Sequence, residues 1–165
     1  MSMIYLLLGA NLGDRFNQLS KAFSEIEERI GSVIKHSAIY ETAAWGREGD
    51  PSYLNQVIGV ITSLTPHELL KAIHEIESHL GRTRQLRWES RLIDIDILFY
   101  DELVLNDSDL IIPHPYIHKR KFTLVPLAEI ASDYMHPVLS KTIEQLLKEL
   151  NDPLEVIKFS PKEER

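Results

Sequence analysis

The chain has 165 residues, of which 44% are hydrophobic and 26% charged, and its formal net charge at pH 7 is −7. These values predict one domain over residues 1–160 with a sizeable hydrophobic core, followed by a mobile tail at residues 161–165. The absence of cysteine excludes disulfides and thiolate metal sites, and the net acidity argues against binding to nucleic acids or anionic membranes. Because residues 3–8 are too short for the core of a signal sequence, we expect a cytoplasmic protein.

The first third of the chain alternates strand and helix patterns. Residues 4–8 predict a buried strand, and residues 9–14 predict a turn that ends at Asp14, the expected N-cap of a helix. Apolar residues then recur at helical spacing up to Gly31, which occupies the place of a C-terminal glycine. Residues 33–40 and 54–62 are strand-like, and the loop between them is too long for a simple hairpin.

A second helix begins at a capping box over residues 65–68 (TPHE) and ends at Gly81. A further strand follows over residues 93–100. The order strand, helix, strand, strand, helix, strand predicts an α+β fold, a ferredoxin-like β-α-β-β-α-β sandwich. The pattern weakens after residue 100, which predicts a C-terminal extension of short strands and helices that ends in a helix near residues 142–150.

The most informative stretch is the run RLIDIDILFY over residues 91–100, which places two carboxylates in a strand-like segment. Strand side chains alternate between faces, so Asp94 and Asp96 should share one face at roughly 7 Å between their Cα atoms. Two anions this close repel one another unless a cation lies between them, and Mg²⁺ would remove that repulsion. For the D-x-D pair alone, the alternative is a solvated sheet face.

Four arginines precede this strand: Arg82, Arg84, Arg87 and Arg91. The guanidinium group suits bidentate contact with phosphate oxygens better than the ammonium group of lysine does. Proteins hold nucleotide triphosphates with Mg²⁺ on carboxylates and arginine on the outer phosphate oxygens. The arginines and aspartates together therefore predict a nucleotide triphosphate site, and a solvated loop is the alternative for the arginines alone.

Short motifs occur in a fixed order through most of the chain: GANLGD (9–14), YET (40–42), YLN (53–55), GRTR (81–84), Trp88, RLIDID (91–96), PHP (113–115), Arg120 and Phe122. In order and spacing they resemble the 6-hydroxymethyl-7,8-dihydropterin pyrophosphokinase family of folate biosynthesis. The resemblance implies transfer of a pyrophosphoryl group from ATP to the hydroxymethyl oxygen of the pterin, with release of AMP. It also implies ATP and the pterin as small-molecule partners, no nucleic acid or membrane partner, and action as a monomer.

The resemblance implies roles for individual residues. It assigns two Mg²⁺ ions to Asp94 and Asp96, and catalysis to Arg82 and Arg91, which would neutralise charge as the bond to AMP breaks. The residues implied on the ATP side are His74, Glu77, Arg84, Arg91, His114 and Arg120. Those implied on the pterin side are Thr42, Ala43, Trp45, Tyr53, Asn55, Trp88 and Phe122. Aromatic side chains suit the flat pterin ring, and an asparagine can both donate to and accept from its polar edge.

The chain departs from the usual family pattern at Ala43-Ala44, at His74 and at Glu89-Ser90, and none of these departures removes a metal ligand or a catalytic arginine. Two other classes of function are alternatives to this interpretation. An RNA-binding module would need exposed aromatic residues in an RNP-like pattern and a basic face; this chain lacks the pattern and has a net charge of −7, which argues against that class. A Mg²⁺-dependent hydrolase or nucleotidyltransferase could use the same aspartate pair, and the products formed from ATP would distinguish it.

Overall fold

The computed structural model describes residues 1–42, 52–81 and 93–160. Its strands are β1 (Ser2–Ala10), β2 (Gly31–His36), β3 (Tyr40–Thr42), β4 (Tyr53–Thr62), β5 (Asp94–Tyr100), β6 (Leu105–Asn106), β7 (Ile111–Ile112) and β8 (Val156–Lys158). Its helices are α1 (Arg15–Arg29), α2 (Pro66–Gly81), α3 (Lys121–Ala131) and α4 (Ile143–Glu149), with a 3-10 helix at Ile117–Lys119. The prediction of a mixed fold with an antiparallel sheet and helices is confirmed. The tail predicted at residues 161–165 lies outside the described residues.

The main sheet has the strand order β5-β1-β4-β3-β8, and β2 pairs with a second stretch of β4. Each of these pairings is antiparallel. The strand predicted over residues 33–40 is therefore two strands, and Ser37 interrupts it. The N–H of Ser37 donates to the carbonyl of Val57 at 2.9 Å, and its hydroxyl, not its carbonyl, accepts from the N–H of Val57 at 3.0 Å. A side chain thus replaces the backbone acceptor, which breaks the regular ladder.

The central strand β1 is apolar along its length because both faces of the sheet are covered. Its residues Ile4, Leu6 and Leu8 belong to a core shared with α1 and α2. Tyr5 and Leu7 point to the opposite face and pack with α3 and α4. The C-terminal extension is present as predicted. It covers the second face with α3 and α4, and it adds β8 to the sheet edge.

The helix starts follow the predicted capping pattern. The carboxylate of Asp14 accepts from the N–H of Asn17 at 3.1 Å at the start of α1. The capping box of α2 is complete: the Glu68 N–H donates to the Thr65 hydroxyl at 3.2 Å, and the Thr65 N–H donates to the Glu68 carboxylate at 2.9 Å. In the described part of the chain, no helix combines the length and the apolar character that crossing a membrane requires.

Gly31 has a different role from the one predicted. It is the first residue of β2, and a Cβ atom at this position would lie 2.0 Å from the carbonyl oxygen of Ile61 in the paired strand. That approach is far closer than van der Waals contact allows. Glycine is therefore required here by the closeness of β4, and not by the end of the preceding helix.

We expect His136 to make the stability of the fold dependent on pH. It is buried, and its Nδ1 accepts hydrogen bonds from the N–H groups of Val138 at 3.1 Å and Leu139 at 3.0 Å. Burial, followed by the nearby His118, lowers the pKa of His136 from 6.5. Because the unfolded chain then binds a proton more tightly than the folded chain, the contribution of His136 is complete above pH 6.5 and is lost as the pH falls through the folded-state pKa.

We therefore expect the urea midpoint of unfolding to fall on acidification below pH 6.5. His136→Asn is the matched variant, because an amide oxygen can accept from the same two N–H groups but does not titrate in this range. This variant should show a flatter dependence of the midpoint on pH than the parent chain. Identical pH profiles for the two proteins would show that His136 does not carry the effect.

Candidate active site

The two aspartates predicted to bind metal lie on the face of β5 that α3 and α4 cover. In the register of the sheet, Asp94 pairs with Gly9 and Asp96 pairs with Leu7. The alternating residue Ile95 is buried in the core on the opposite face. Asp94 is exposed and Asp96 is half-buried. The structure therefore places both carboxylates on one face, as the alternation of strand side chains predicts.

One row of residues crosses the sheet at this point. Asp94 of β5 pairs with Gly9 of β1, Gly9 pairs with Asn55 of β4, and Asn55 pairs with Tyr40 of β3. Paired residues share a face, and neighbouring strands lie about 4.8 Å apart, so Asp94 and Asn55 are separated by about 10 Å at their Cα atoms. Only Gly9, which has no side chain, stands between them in this row.

Gly9 belongs to β1 and not to the turn in which the sequence analysis placed it. A Cβ atom on Gly9 would lie 2.8 Å from the side-chain nitrogen of Asn55. Glycine thus leaves room for the Asn55 amide, which lies over Gly9 on this face of the sheet. The available signal was a glycine at the end of an apolar strand, which often marks a close approach of a ligand or of another group.

Two buried oxygen atoms in this region have no hydrogen-bond partner within the described residues: Oδ1 of Asn55 and Oγ1 of Thr42. The amide nitrogen of Asn55 donates to the carbonyl of Leu8 at 3.2 Å, which fixes the orientation of the amide group. Tyr53 of β4 is 38% exposed and pairs with Thr42 of β3. The structure therefore brings three of the predicted pterin-side residues together and offers two acceptors to a donor on a ligand.

His114 lies close to Asp96 and to Arg120. Burial lowers the pKa of His114, the negative charge of Asp96 opposes this shift, and the positive charge of Arg120 adds to it. The backbone N–H of His114 donates to the carbonyl of Leu98 in β5 at 3.1 Å, which fixes the chain after β7 against the aspartate strand. Its Nδ1 accepts from the N–H of Tyr116 at 3.1 Å, so a neutral His114 carries its proton on Nε2 and can donate to a ligand.

Arg120 directly precedes α3 and packs between two aromatic rings. Its Cζ atom lies 5.1 Å from the ring centroid of Tyr116 and 5.6 Å from that of Phe122. The family resemblance places Arg120 on the ATP side and Phe122 on the pterin side, and the structure shows that the two residues are neighbours. Tyr116 was not among the predicted site residues, although an aromatic residue just after the PHP motif was an available signal.

Glu77 and His74, both predicted on the ATP side, lie on α2. A carboxylate oxygen of Glu77 accepts from the N–H of Ile95 at 2.8 Å, and this contact holds β5 between its two aspartates. His74 is exposed on the outer side of α2. There it lines a depression of about 830 Å³ together with residues that include His67, Leu70 and Asp109. Because α2 covers the opposite face of the sheet, the structure does not bring His74 to the aspartates.

Six predicted site residues lie outside the described residues: Ala43, Trp45, Arg82, Arg84, Trp88 and Arg91. Their roles stay predictions. The described part of the site nevertheless has a donor set that fits Mg²⁺, because Asp94 and Asp96 offer the oxygen ligands that this ion prefers. His114 interacts electrostatically with both Asp96 and Arg120, and its Nε2–H and the Arg120 guanidinium suit phosphate oxygens. This face can therefore hold a metal-bound phosphate chain next to a polar aromatic ring.

The comparisons with known proteins agree with this chemistry. Residues 5–132 match the family model described as 7,8-dihydro-6-hydroxymethylpterin-pyrophosphokinase (HPPK). The 2-amino-4-hydroxy-6-hydroxymethyldihydropteridine pyrophosphokinase of Aquifex aeolicus is 40% identical over 149 residues, which cover 90% of this chain and 92% of that relative. The protein of the same name from Bacillus subtilis is 39% identical over 145 residues, with 87% of each chain covered.

Among solved structures, wild-type HPPK-DHPS of Plasmodium falciparum matches with a TM-score of 0.74 at 17% identity. The match covers 90% of this chain and 44% of that chain, so this chain spans less than half of the longer protein. At this identity the likeness shows the shared fold alone. The match to the family model and the identities to the curated relatives show that the chain belongs to the 7,8-dihydro-6-hydroxymethylpterin-pyrophosphokinase family.

Proposed function

We propose that the chain carries out the reaction of its family on the face of the sheet that carries Asp94 and Asp96. The reaction is the transfer of pyrophosphate from ATP to the hydroxymethyl group of 6-hydroxymethyl-7,8-dihydropterin, with release of AMP, in folate biosynthesis. The chain is thus an ATP-dependent diphosphotransferase. One observation carries the location: the row Asp94, Gly9, Asn55 places a phosphate-side carboxylate and a pterin-side amide on one face of the sheet, with one strand between them.

The pterin is held by polar contacts at its edge and by aromatic contacts on its faces. The buried oxygens of Asn55 and Thr42 accept from N–H groups of the ring, which supplies the partners that these atoms lack among the described residues. Tyr53 and Phe122 stack on the flat ring. Trp45 and Trp88 complete the pterin side by resemblance to the family, as do main-chain groups near Ala43.

The phosphates are held by the carboxylates and by cationic donors. Asp94 and Asp96 would hold two Mg²⁺ ions, which when bound would neutralise the phosphates and lower the pKa of the attacking hydroxyl. Arg120 and the Nε2–H of His114 donate to phosphate oxygens. Arg82 and Arg91 neutralise the charge that develops on the leaving AMP, and Arg84 contacts the triphosphate.

In this proposal, the hydrogen bond of Glu77 positions the two metal-binding aspartates. By accepting from the Ile95 N–H, its carboxylate fixes the backbone between the two metal ligands, so the spacing of Asp94 and Asp96 is set before substrates bind. His74 is proposed as a nucleotide contact by resemblance to the family alone.

We extend the proposal to the fold, the cellular location and the oligomeric state. The strands β5-β1-β4-β2 pair in this order and antiparallel, and α1 and α2 pack on one face of the sheet. This arrangement supports a ferredoxin-like fold within a single domain over residues 1–160. We further propose that the chain acts in the cytoplasm as a monomer.

The test is product analysis with the purified chain, Mg²⁺, ATP and 6-hydroxymethyl-7,8-dihydropterin, followed by nucleotide chromatography and ³¹P NMR. We expect AMP and pterin diphosphate in equal amounts, with no AMP when the reduced pterin is omitted. Release of AMP or ADP without the pterin would indicate a hydrolase. Release of inorganic diphosphate with a nucleotidylated product would indicate a nucleotidyltransferase. Either result would contradict the proposal.

A further inference from the structure

A charged cluster lies on α1 and on the two strands that carry the pterin-side residues. One guanidinium nitrogen of Arg15, Nη1, lies 3.0 Å from a carboxylate oxygen of Glu41. The same nitrogen lies 2.8 Å from the hydroxyl and 3.0 Å from the carbonyl oxygen of Ser52. The Ser52 hydroxyl in turn donates to the Glu41 carboxylate at 2.5 Å. We call these three residues the Arg15 cluster.

The cluster acts on the backbone next to the proposed pterin contacts. Glu41 directly precedes Thr42, and Ser52 directly precedes Tyr53, while Thr42 and Tyr53 are a cross-strand pair. Because strand side chains alternate, Glu41 reaches Arg15 on one side of the sheet while Thr42 faces the other. A contact made on one side therefore sets the position of ligand-facing groups on the opposite side.

The position of Arg15 is unfavourable for α1 itself. Arg15 is the first residue of this helix, whose first turn contains no acidic residue. The positive end of the helix dipole disfavours a cation there, and only 13% of the Arg15 side chain is exposed to water. These costs have to be offset by the contacts with Glu41 and Ser52. Arg15 is thus placed for its bonds across the sheet and not for helix stability.

Two further observations show that the Arg15 cluster is charged and that it contacts the C-terminal part of the chain. The hydrogen bond from Ser52, followed by the hydrogen bond and the charge of Arg15, lowers the pKa of Glu41 despite its partial burial. The Arg15 Cζ atom also lies 5.7 Å from the ring centroid of Phe159, and the Phe159 N–H donates to the Ile39 carbonyl at 2.8 Å. The end of the C-terminal strand therefore closes over the cluster.

We infer that Arg15 is a positioning residue for pterin recognition. Through Glu41 and Ser52 it fixes Thr42 and Tyr53 in register with Asn55, so that the polar edge and the aromatic face are presented at a fixed spacing. The inference rests on the proposed pterin site. It adds a residue that the sequence resemblance did not include.

The test compares Arg15→Ala with Lys21→Ala, which removes the same charge from an exposed position on the same helix. Calorimetry with 6-hydroxymethyl-7,8-dihydropterin should show about tenfold weaker binding for Arg15→Ala, and unchanged binding for Lys21→Ala. Binding of α,β-methylene-ATP should be unchanged in both variants. Arg15→Lys, which keeps the charge but loses the planar fork, should recover part of the pterin affinity.

A purely structural role would weaken both ligands by the same factor, and that result would overturn the inference, as would unchanged pterin affinity. If Arg15→Ala does not fold, Arg15→Lys and Glu41→Gln are compared in the same way. The wild-type chain separates this inference from the proposed function. If the wild type fails to bind the pterin, the proposed site is wrong and the inference is wrong with it. If the wild type binds the pterin and the Arg15 variants bind it equally well, the proposed site stands and the inference alone is wrong.

Discussion

Replacing Asp96 or Asp94 with alanine is expected to abolish AMP formation, by at least about 10²-fold, while the chain stays folded. Each change removes a ligand from the proposed metal pair, so charge on the phosphates is no longer neutralised. Folding should not suffer, because deleting one of two neighbouring anions relieves repulsion in the free protein. Turnover is measured by the AMP assay, and stability by urea unfolding.

Asp133→Ala is the matched control, because it removes an exposed carboxylate just after α3, where the neighbouring Tyr134 packs on Phe99, near the opposite end of β5 from Asp94. We expect this variant to keep full activity. Binding of Mn²⁺ in the presence of α,β-methylene-ATP, followed by electron paramagnetic resonance, should weaken in the Asp94 and Asp96 variants alone. A fully active Asp96→Ala protein would remove the basis for assigning metal to this strand.

Asn55→Ala is expected to weaken pterin binding by about 5- to 150-fold, which corresponds to about 1–3 kcal/mol for an unpaired polar group on the buried ligand. The affinity for α,β-methylene-ATP should change little, because Asn55 lies on the pterin side of Gly9. Calorimetric titration of each ligand separately gives the comparison.

Gln56→Ala is the control for Asn55→Ala. Gln56 is the next residue of β4 and is also a buried amide, but it donates to the Ser37 carbonyl at 3.0 Å on the other side of the strand. This control should reduce stability without a preference between the ligands. If Asn55→Ala weakened both ligands equally, Asn55 would be part of the scaffold and not a pterin contact.

Local patterns predicted the features that depend on neighbouring residues. The caps at Asp14 and Thr65 use contacts three residues apart, and both are present. The shared face of Asp94 and Asp96 follows from the two-residue repeat of a strand. The family motifs added the identity of the substrates, which no local pattern contains.

Features that depend on distant parts of the chain were missed. The sequence does not indicate that Gly31 meets the Ile61 carbonyl, or that β8 joins the sheet beside β3, because both depend on tertiary packing. The contacts of Arg15 span 26 and 37 residues and leave no periodic signal. The sequence shows a glycine at position 9, but the reason for it depends on the position of Asn55 in the neighbouring strand.

The place of β5 in the sheet has a consequence for the order of events during synthesis. Ribosomes release the N-terminal strand first, yet its two partners are β4 and β5, and β5 comes more than 80 residues after the end of β1. Until β5 emerges, one edge of an apolar strand stays unpaired and open to association with other chains. The strand that closes this edge is also the one that bears the two aspartates. The nascent chain therefore acquires its proposed metal ligands in the same step that protects it from aggregation.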